Sequence, residues 1–409
     1  MKKLLALFLA LLLIVGCLPG CGEVLSVITA PDVDLSYPFI GFRTERPEGT
    51  VDLEGYTRLT PEQINAHVPS YSGYGVSLYY DTLGPQEQQI YRIFQYAMDY
   101  TYPVVFIDDR LLEDDNIDIG AILDCMALDN PMVEQNIYWR AWEAECTYPN
   151  NNRFDKTQPT ALYGTIIENP VFSRMTLDKK LLAKTRANEI IQHMPDGLTD
   201  LEKCQYFYDY LGNHVEYYTT EDHTQLRDYL YEALLEGKTN CDGYANAFSL
   251  LCYLSGVTCA EKMYSPTPEE EDETGHTWNA VQLDGVWYNV DATASREVND
   301  KYVTMRHFCF ADKYLDYRVD MSDRAPASEK SLIEPDVTIT SSGKAGSQVK
   351  KAWKTVKKTG RKYVLAEFPN GEQKSSVLQK IANSLGTTIN TVHYVTKSGT
   401  ALYYIFPKK

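Results

Sequence analysis

The stretch GKTNCDGYANAFSLL, residues 237–251, places a single cysteine, Cys241, directly before apolar residues at helical spacing. Ser255-Gly256 supplies the stop signal of this predicted helix. Cys241 is therefore expected at the helix N-terminus, where unpaired N–H groups and the positive end of the helix dipole lower a thiol pKa and raise its reactivity. The alternative is an ordinary buried cysteine that behaves as a small hydrophobic residue.

A β-hairpin is predicted downstream, in GHTWNAVQLDGVWYNVDATA (275–294), where two alternating runs flank Asp284-Gly285. A two-residue loop there fixes a register that puts His276 and Asp291 on one face as diagonal neighbours, while the other face carries the apolar side chains and is the core side. A histidine base and its orienting carboxylate need this arrangement. Taken singly, His276 could instead be a capping or surface residue, and Asp291 a turn or edge acid.

These motifs, CDGYANAFSLLCYLSG (241–256) and GHTWNAVQLDGVWYNVDAT (275–293), together with YFYDYLGNHVEYY (206–218), resemble the transglutaminase-like superfamily. The resemblance covers residues 177–320 and implies an α+β, papain-like core, with the cysteine on a helix and the histidine and aspartate on an antiparallel sheet. It implies that Cys241 is the nucleophile, His276 the general base and Asp291 the group that orients the imidazole. The backbone N–H of Cys241 would be one oxyanion-hole donor. Trp278 and Tyr244 are expected to border the cleft.

Two reactions share such a triad, because a cysteine acyl-enzyme can pass its acyl group to water or to an amine. We expect peptidase or amidase chemistry on a protein or peptide substrate, since water is always present, with transglutaminase activity as the alternative. No cofactor or metal is expected, since the cysteine spacings match no zinc pattern. The rival from another class is a non-catalytic cell-surface binding or assembly protein that retains the fold.

The N-terminus predicts export. Lys2 and Lys3 precede an apolar run, Leu4–Val15, that is too short to span a bilayer as a stable helix. The following LIVGC and LPGC resemble the bacterial lipoprotein signal, with lipidation at Cys17 or, alternatively, Cys21. We therefore expect an extracytoplasmic protein that a lipid anchors to the bacterial cell membrane. A plain secretory signal is the alternative.

Composition and charge divide the chain further. The net charge is −17, but residues 344–409 contain 13 Lys and Arg against two acids, which leaves −28 on residues 1–343. This shift predicts a separate basic module that binds anionic cell-wall polymer or lipid headgroups, or else the protein's own acidic body; nucleic acid is not expected. The predicted segments are a signal peptide (1–16), a tether (17–55), a mainly helical region (56–176), the catalytic core (177–325), a linker (326–346) and a small basic α/β module (347–409).

Overall fold

The computed structural model describes most of the chain beyond the N-terminus. The predicted signal peptide, Cys17, Cys21 and the acidic residues 269–273 lie outside the described residues. No helix among the described residues is both long and apolar enough to cross a membrane. The described stretches are 37–45, 53–67, 77–112, 117–132, 140–149, 159–168, 177–218, 229–267, 275–297, 307–315, 318–332, 334–396 and 399–408.

The chain divides into two compact units. The first comprises residues 1–72, 83–126 and 136–176, and the second comprises residues 73–82, 127–135 and 177–409. Both the predicted catalytic core and the predicted basic module belong to the second unit.

A five-stranded antiparallel sheet, in the order β2-β1-β3-β5-β4, organises the first unit. Its apolar core includes Phe39, Tyr56 and Phe106. The helices Pro61–Asn65 and Pro85–Asp99 belong to the same unit. The strands are β1 (Ile40–Arg43), β2 (Thr57–Leu59), β3 (Val104–Asp108), β4 (Arg140–Pro149) and β5 (Pro159–Glu168).

Two predictions for this unit need correction. Residues 56–176 are not mainly helical, because four of the five strands come from this range. The predicted tether 17–55 contributes β1, where Ile40 and Phe42 are fully buried. Strands β1, β2 and β3 have only three to five residues and pair with partners that are distant in sequence, and local periodicity does not report such pairing.

The predicted catalytic core combines helices with a four-stranded antiparallel sheet in the order β11-β10-β9-β8. The helix Cys241–Leu254, the Cys241 helix, begins and ends where the sequence predicts. Two further helices precede it, Leu177–Gln192 and Asp200–His214. The strands are β8 (Cys259–Tyr264), β9 (His276–Leu283), β10 (Val286–Val290) and β11 (Phe308–Phe310).

The predicted hairpin register is confirmed. Leu283 pairs with Val286, and the same register continues to the end of β10. Asp284 and Gly285 have φ values of 50° and 77°, the positive φ angles that a tight two-residue hairpin loop requires.

Both faces of this sheet are buried. On one face, the Asn279 side chain donates to Ala245 O (3.1 Å) and Ser249 Oγ (2.9 Å), so the Cys241 helix lies there. On the other face, Trp278 and Asn289 are only 1% and 0% exposed. The alternation of apolar residues in the hairpin predicts only one buried face. The other face is buried because residues from the segment after the hairpin cover it.

Close packing between the helix Asp200–His214 and the segment after β10 depends on Gly212. A Cβ at this position would lie 2.3 Å from the backbone carbonyl oxygen of Ser295, which cannot move as a flexible side chain can. We expect Gly212→Ala to lower the free energy of unfolding by about 1–3 kcal/mol, the usual cost of overpacking. Chemical denaturation measures this, with the exposed neighbour Asn213→Ala as a control that stays within about 0.5 kcal/mol. Equal stability of the two variants would contradict the close approach.

The C-terminal module is a four-stranded sheet in the order β12-β13-β15-β14, with two helices. Its β12 lies inside the predicted linker 326–346 and pairs in parallel with β13, and the first helix also begins there, so the linker prediction is wrong from Val337 onward. That stretch has few apolar residues, and its strand forms only through pairing with β13. The elements are β12 (Val337–Thr338), β13 (Val364–Phe368), β14 (Ile389–Val395), β15 (Ala401–Pro407), and the helices Ala345–Val356 and Ser375–Leu385.

The module packs directly on the predicted catalytic core through an apolar cluster. Phe310, the last residue of β11, and Tyr314, which follows this strand, contact buried residues of the module's sheet, among them Leu365 and Tyr404. The change from acidic to basic composition near residue 344 therefore does not separate two compact units. Both the acidic and the basic parts lie within the second unit.

Candidate active site

Cys241 is the first residue of its helix. The preceding Asn240 caps this helix end, because its side-chain oxygen accepts from the Gly243 N–H (3.4 Å). At this position the Cys241 N–H has no acceptor within the helix. The Cys241 side chain is 7% exposed. The predicted placement at the mouth of the helix is therefore correct.

His276 and Asp291 meet at the open end of the hairpin. His276 is the first residue of β9, and Asp291 directly follows the last residue of β10. The imidazole Nε2 lies 3.0 Å from Asp291 Oδ2, which is hydrogen-bonding distance. The other carboxylate oxygen accepts from the Thr293 N–H at 3.1 Å. The carboxylate is thereby oriented toward the imidazole.

The imidazole links the carboxylate to the thiol. The side chains of His276 and Cys241 are hydrogen-bonded to each other. Because Nε2 faces Asp291, Nδ1 is the ring nitrogen left for the sulfur. Trp278 stacks beside the imidazole, with ring centroids 6.0 Å apart and planes at 16°. The structure thus brings the three residues together in the order thiol, imidazole, carboxylate.

The charges of the imidazole and the carboxylate reinforce each other. Burial acts to raise the pKa of Asp291, but the charge and hydrogen bond of His276, together with His307 and Thr293, outweigh it and lower that pKa to about 2. Burial acts to lower the pKa of His276, but the charge and hydrogen bond of Asp291 hold it well above its ordinary value. Asp291 is therefore an anion that favours the imidazolium, the form that arises when His276 accepts a proton.

The expected lowering of the thiol pKa does not occur. Burial raises the pKa of Cys241, the charge of Asp242 raises it further, and the contact with His276 opposes both. Asp242 Oδ1 lies 4.0 Å from the sulfur and accepts from the Thr277 hydroxyl at 2.7 Å. The position of Cys241 at the helix N-terminus predicts a thiolate. The sequence shows that Asp242 is adjacent, but it does not show that the Asp242 carboxylate is oriented toward the sulfur.

Comparison with known proteins agrees with this geometry. Residues 184–292 match the family model described as the Transglutaminase-like superfamily. This span contains Cys241, His276 and Asp291, and the region has a transglutaminase-like α+β core.

Similar proteins include the kyphoscoliosis peptidases of Homo sapiens and Mus musculus, which are 29% and 28% identical to this chain over 145 residues. The match covers 33% of this chain but only 22% of each relative. A crystal structure of a TGase is 11% identical, covering 37% of this chain and 51% of its own at a TM-score of 0.24. A putative cysteine protease from Cytophaga hutchinsonii is 14% identical, covering 41% and 68% at a TM-score of 0.22.

Two residues predicted to border the cleft lie deeper in the transglutaminase-like core. Tyr244 is fully buried, and its hydroxyl donates to the carbonyl of Val215. Trp278 is 1% exposed, and its indole N–H donates to Asn289 Oδ1 (3.1 Å), although its ring still contacts His276. Helical and strand periodicity report only the face of a residue, so they could not separate cleft from core.

A buried lysine, which sequence reasoning missed, supports the sheet beneath the site. Lys262 is 1% exposed, and its Nζ lies 3.0 Å from both Asn289 Oδ1 and Asp312 Oδ1. Asn289 is also the acceptor for Trp278. Burial lowers the pKa of Lys262, and Asp312 opposes that shift. This network connects residue 312 to the tryptophan beside the imidazole.

We expect Asp312→Ala to lower the free energy of unfolding by about 3 kcal/mol, because it leaves the Lys262 ammonium buried without its counter-charge. Thermal or denaturant unfolding measures the loss. Glu189→Ala, which breaks the exposed pair with Arg186, is the matched control and should cost less than about 1 kcal/mol. A loss for Asp312→Ala no larger than that of the control would show that Lys262 does not depend on this carboxylate.

Proposed function

We propose that this chain is a cysteine peptidase or amidase that cleaves amide bonds in proteins or peptides through an acyl-enzyme. The observation that carries the proposal is the placement of His276 between the Cys241 thiol and the Asp291 carboxylate, with an Nε2 to Oδ2 distance of 3.0 Å. The three side chains together supply a nucleophile, a base and a group that orients the base.

The reaction follows from these contacts. The Cys241 sulfur attacks the amide carbonyl carbon while its proton passes to Nδ1 of His276, and the carbonyl oxygen becomes an oxyanion near the Cys241 N–H. The imidazolium then protonates the leaving amine as the carbon–nitrogen bond breaks, which leaves a thioester. Water, deprotonated by His276, attacks the thioester and releases the acid and the free thiol. Throughout, Asp291 accepts the Nε2 hydrogen bond and stabilises the imidazolium.

Hydrolysis and cross-linking differ only in the molecule that accepts the acyl group from the thioester. A primary amine in place of water would form a new amide, which is the transglutaminase reaction. The kyphoscoliosis peptidases, the curated relatives with the 29% and 28% identity given above, are named for peptide hydrolysis, which favours water as the acceptor.

The test is amide cleavage by the purified chain against a peptide-amide library, with and without an added primary amine. New amine or acid groups that require both Cys241 and His276 support hydrolysis, and incorporation of the amine supports transglutaminase activity. Iodoacetamide labelling of Cys241 adds a readout that needs no substrate. Labelling that is unaffected by His276→Ala, together with no turnover, would favour the non-catalytic binding protein.

The pH dependence of that labelling follows from the pKa shifts. At low pH, Cys241 and His276 both carry protons, and one must leave before the sulfur can react. Asp291 stabilises the imidazolium, while burial and Asp242 stabilise the thiol, so both effects move this deprotonation to higher pH. We expect the labelling rate to rise through a midpoint above 6.5, the ordinary histidine value. A midpoint below that value would contradict the assigned charges.

We also propose that the protein acts outside the cytoplasm, held to the membrane by a lipid at Cys17 or Cys21. The sequence of residues 1–21 supports this, with two lysines, an apolar run and the LIVGC and LPGC motifs. Metabolic labelling with a fatty acid in a bacterial host tests it, with Cys17→Ala and Cys21→Ala distinguishing the two cysteines. Retention of the label in both single variants and in the double variant would refute a lipid at either cysteine.

The basic module provides a surface for an anionic cell-wall polymer. The helix Ala345–Val356 exposes Lys350, Lys351 and Lys354, and the exposed Lys357 and Lys358 follow it. In the described part of the module, the ion pairs Arg361–Asp336 and His393–Glu372 leave these five lysines uninvolved. No exposed large apolar side chain of the described residues lies on this helix, which favours a soluble polyanion over insertion into a bilayer.

The matched experiment reverses three charges in the full chain. The triple change of Lys350, Lys351 and Lys354 to Glu should weaken binding to a phosphate-rich wall polymer at low salt. The same change at the exposed Lys238, Lys313 and Lys330 is the control and should have a smaller effect. Equal losses in the two variants would point to net charge alone, and binding only to anionic vesicles would point to the membrane instead.

A further inference from the structure

A second histidine contacts the carboxylate of the proposed triad. His307 Nδ1 lies 3.8 Å from Asp291 Oδ2, the same oxygen that His276 Nε2 approaches to 3.0 Å. The backbone joins the same residues, because the Asp291 N–H donates to the His307 carbonyl at 2.8 Å. The His307 side chain is 18% exposed, and its ring packs edge-on against Phe310. Asp291 is therefore held between two imidazoles.

Sharing one oxygen has an electrostatic consequence. A neutral imidazole at His307 can point its Nδ1 hydrogen toward the carboxylate, which makes the electrostatic potential of the carboxylate less negative at His276. A protonated imidazole at His307 has the same effect more strongly, because it carries a full positive charge. In either state His307 reduces the effect of Asp291 on His276. The imidazolium of His276 is then less strongly stabilised than it would be beside an unshared carboxylate.

We propose that His307 is a positioning residue that holds Asp291 in place and divides its charge between two imidazoles, so that His276 can release its proton more readily. This inference rests on the proposed function, because it concerns the base of that reaction. An imidazole that bound its proton too tightly would be a poor base for the thiol and would restore the free enzyme slowly.

Other titratable groups around this carboxylate remain the same when His307 is replaced. In the described residues, His276 approaches the carboxylate from β9, and Cys241, with Asp242 beside its sulfur, contacts the imidazole from the Cys241 helix. From the helix Asp200–His214, Tyr208 packs its ring against Phe308, next to His307, with centroids 5.2 Å apart. None of these groups is altered by a change at position 307, so a shift in the titration of His276 can be assigned to His307.

The decisive measurement is the pH profile of Cys241 alkylation by iodoacetamide in the full chain, which requires no substrate. His307→Phe removes the second donor and should move the midpoint to higher pH, while His307→Asn, which can donate but carries no charge, should move it back toward the wild-type value. His193→Phe changes an exposed histidine that directly follows the helix Leu177–Gln192 and is the control that should leave the midpoint in place. A purely structural role would lower stability in His307→Phe without moving the midpoint.

Superimposable profiles for His307→Phe and the wild type, or a shift to lower pH, would overturn the proposal. If His307→Phe does not fold, NMR titration of the histidine side chains decides the question. Asp291→Asn must then alter the titration of both His276 and His307, and an unchanged His307 titration overturns the proposal. These outcomes differ from failure of the proposed function, in which Cys241 labelling is unaffected by His276→Ala and the chain shows no turnover, although the two histidines still respond to Asp291.

Discussion

Cys241→Ala is expected to reduce amide hydrolysis by at least about 1,000-fold, since no other group in the site can form the acyl-enzyme. The effect should be on turnover and not on folding, because Cys241 is at the end of its helix and alanine is a good helix former. Steady-state kinetics on a cleaved amide measure the loss, and thermal unfolding shows that the fold is retained.

The matched control for this variant is Cys252→Ala. Cys252 is a fully buried cysteine on the same helix, so its replacement removes a second thiol from the same element. It should cost some stability through the cavity it leaves but retain turnover. Loss of activity in both variants to the same degree, or retention of activity in Cys241→Ala, would reject Cys241 as the nucleophile.

Asp291→Asn is expected to reduce turnover by about 1,000- to 10,000-fold, by analogy with the same change in serine protease triads. The Asn side chain can present its amide hydrogens toward Nε2, which favours the tautomer whose proton is on Nδ1 and so cannot accept the thiol proton. The loss of negative charge also lowers the pKa of His276, because Asp291 is the group that holds it up. The midpoint of Cys241 labelling should therefore move to lower pH while turnover falls.

The combination of these two readouts is specific. A variant that only disturbed the fold would lose turnover without a directed shift of the labelling midpoint. Asp242→Asn is the matched control, since it neutralises a second acid, which lies beside the sulfur and accepts from the Thr277 hydroxyl. It should lower the thiol pKa and retain far more turnover than Asp291→Asn. Equal turnover in the two variants would exclude the assigned role of Asp291.

The pairing of His276 with Asp291 was accessible from the sequence because it depends on a local signal. Asp284-Gly285 can adopt the positive φ angles of a two-residue loop, and that loop fixes every cross-strand partner up to the end of β10. Likewise the Cys241 helix has its apolar spacing and its stop signal within a single stretch. These features are set by neighbours in the chain.

The environment of the site was decided only by the tertiary structure. The raised thiol pKa, the second histidine beside Asp291 and the lysine beneath the sheet all depend on residues that are far apart in sequence or on side-chain directions. The pairing of the short strand β1 with β3, about 60 residues further along the chain, was missed for the same reason. Turn residues and periodicity specify which residues are neighbours along a helix or hairpin. The burial and the electrostatic potential of a side chain depend instead on every segment that packs around it, and these segments come from distant parts of the sequence.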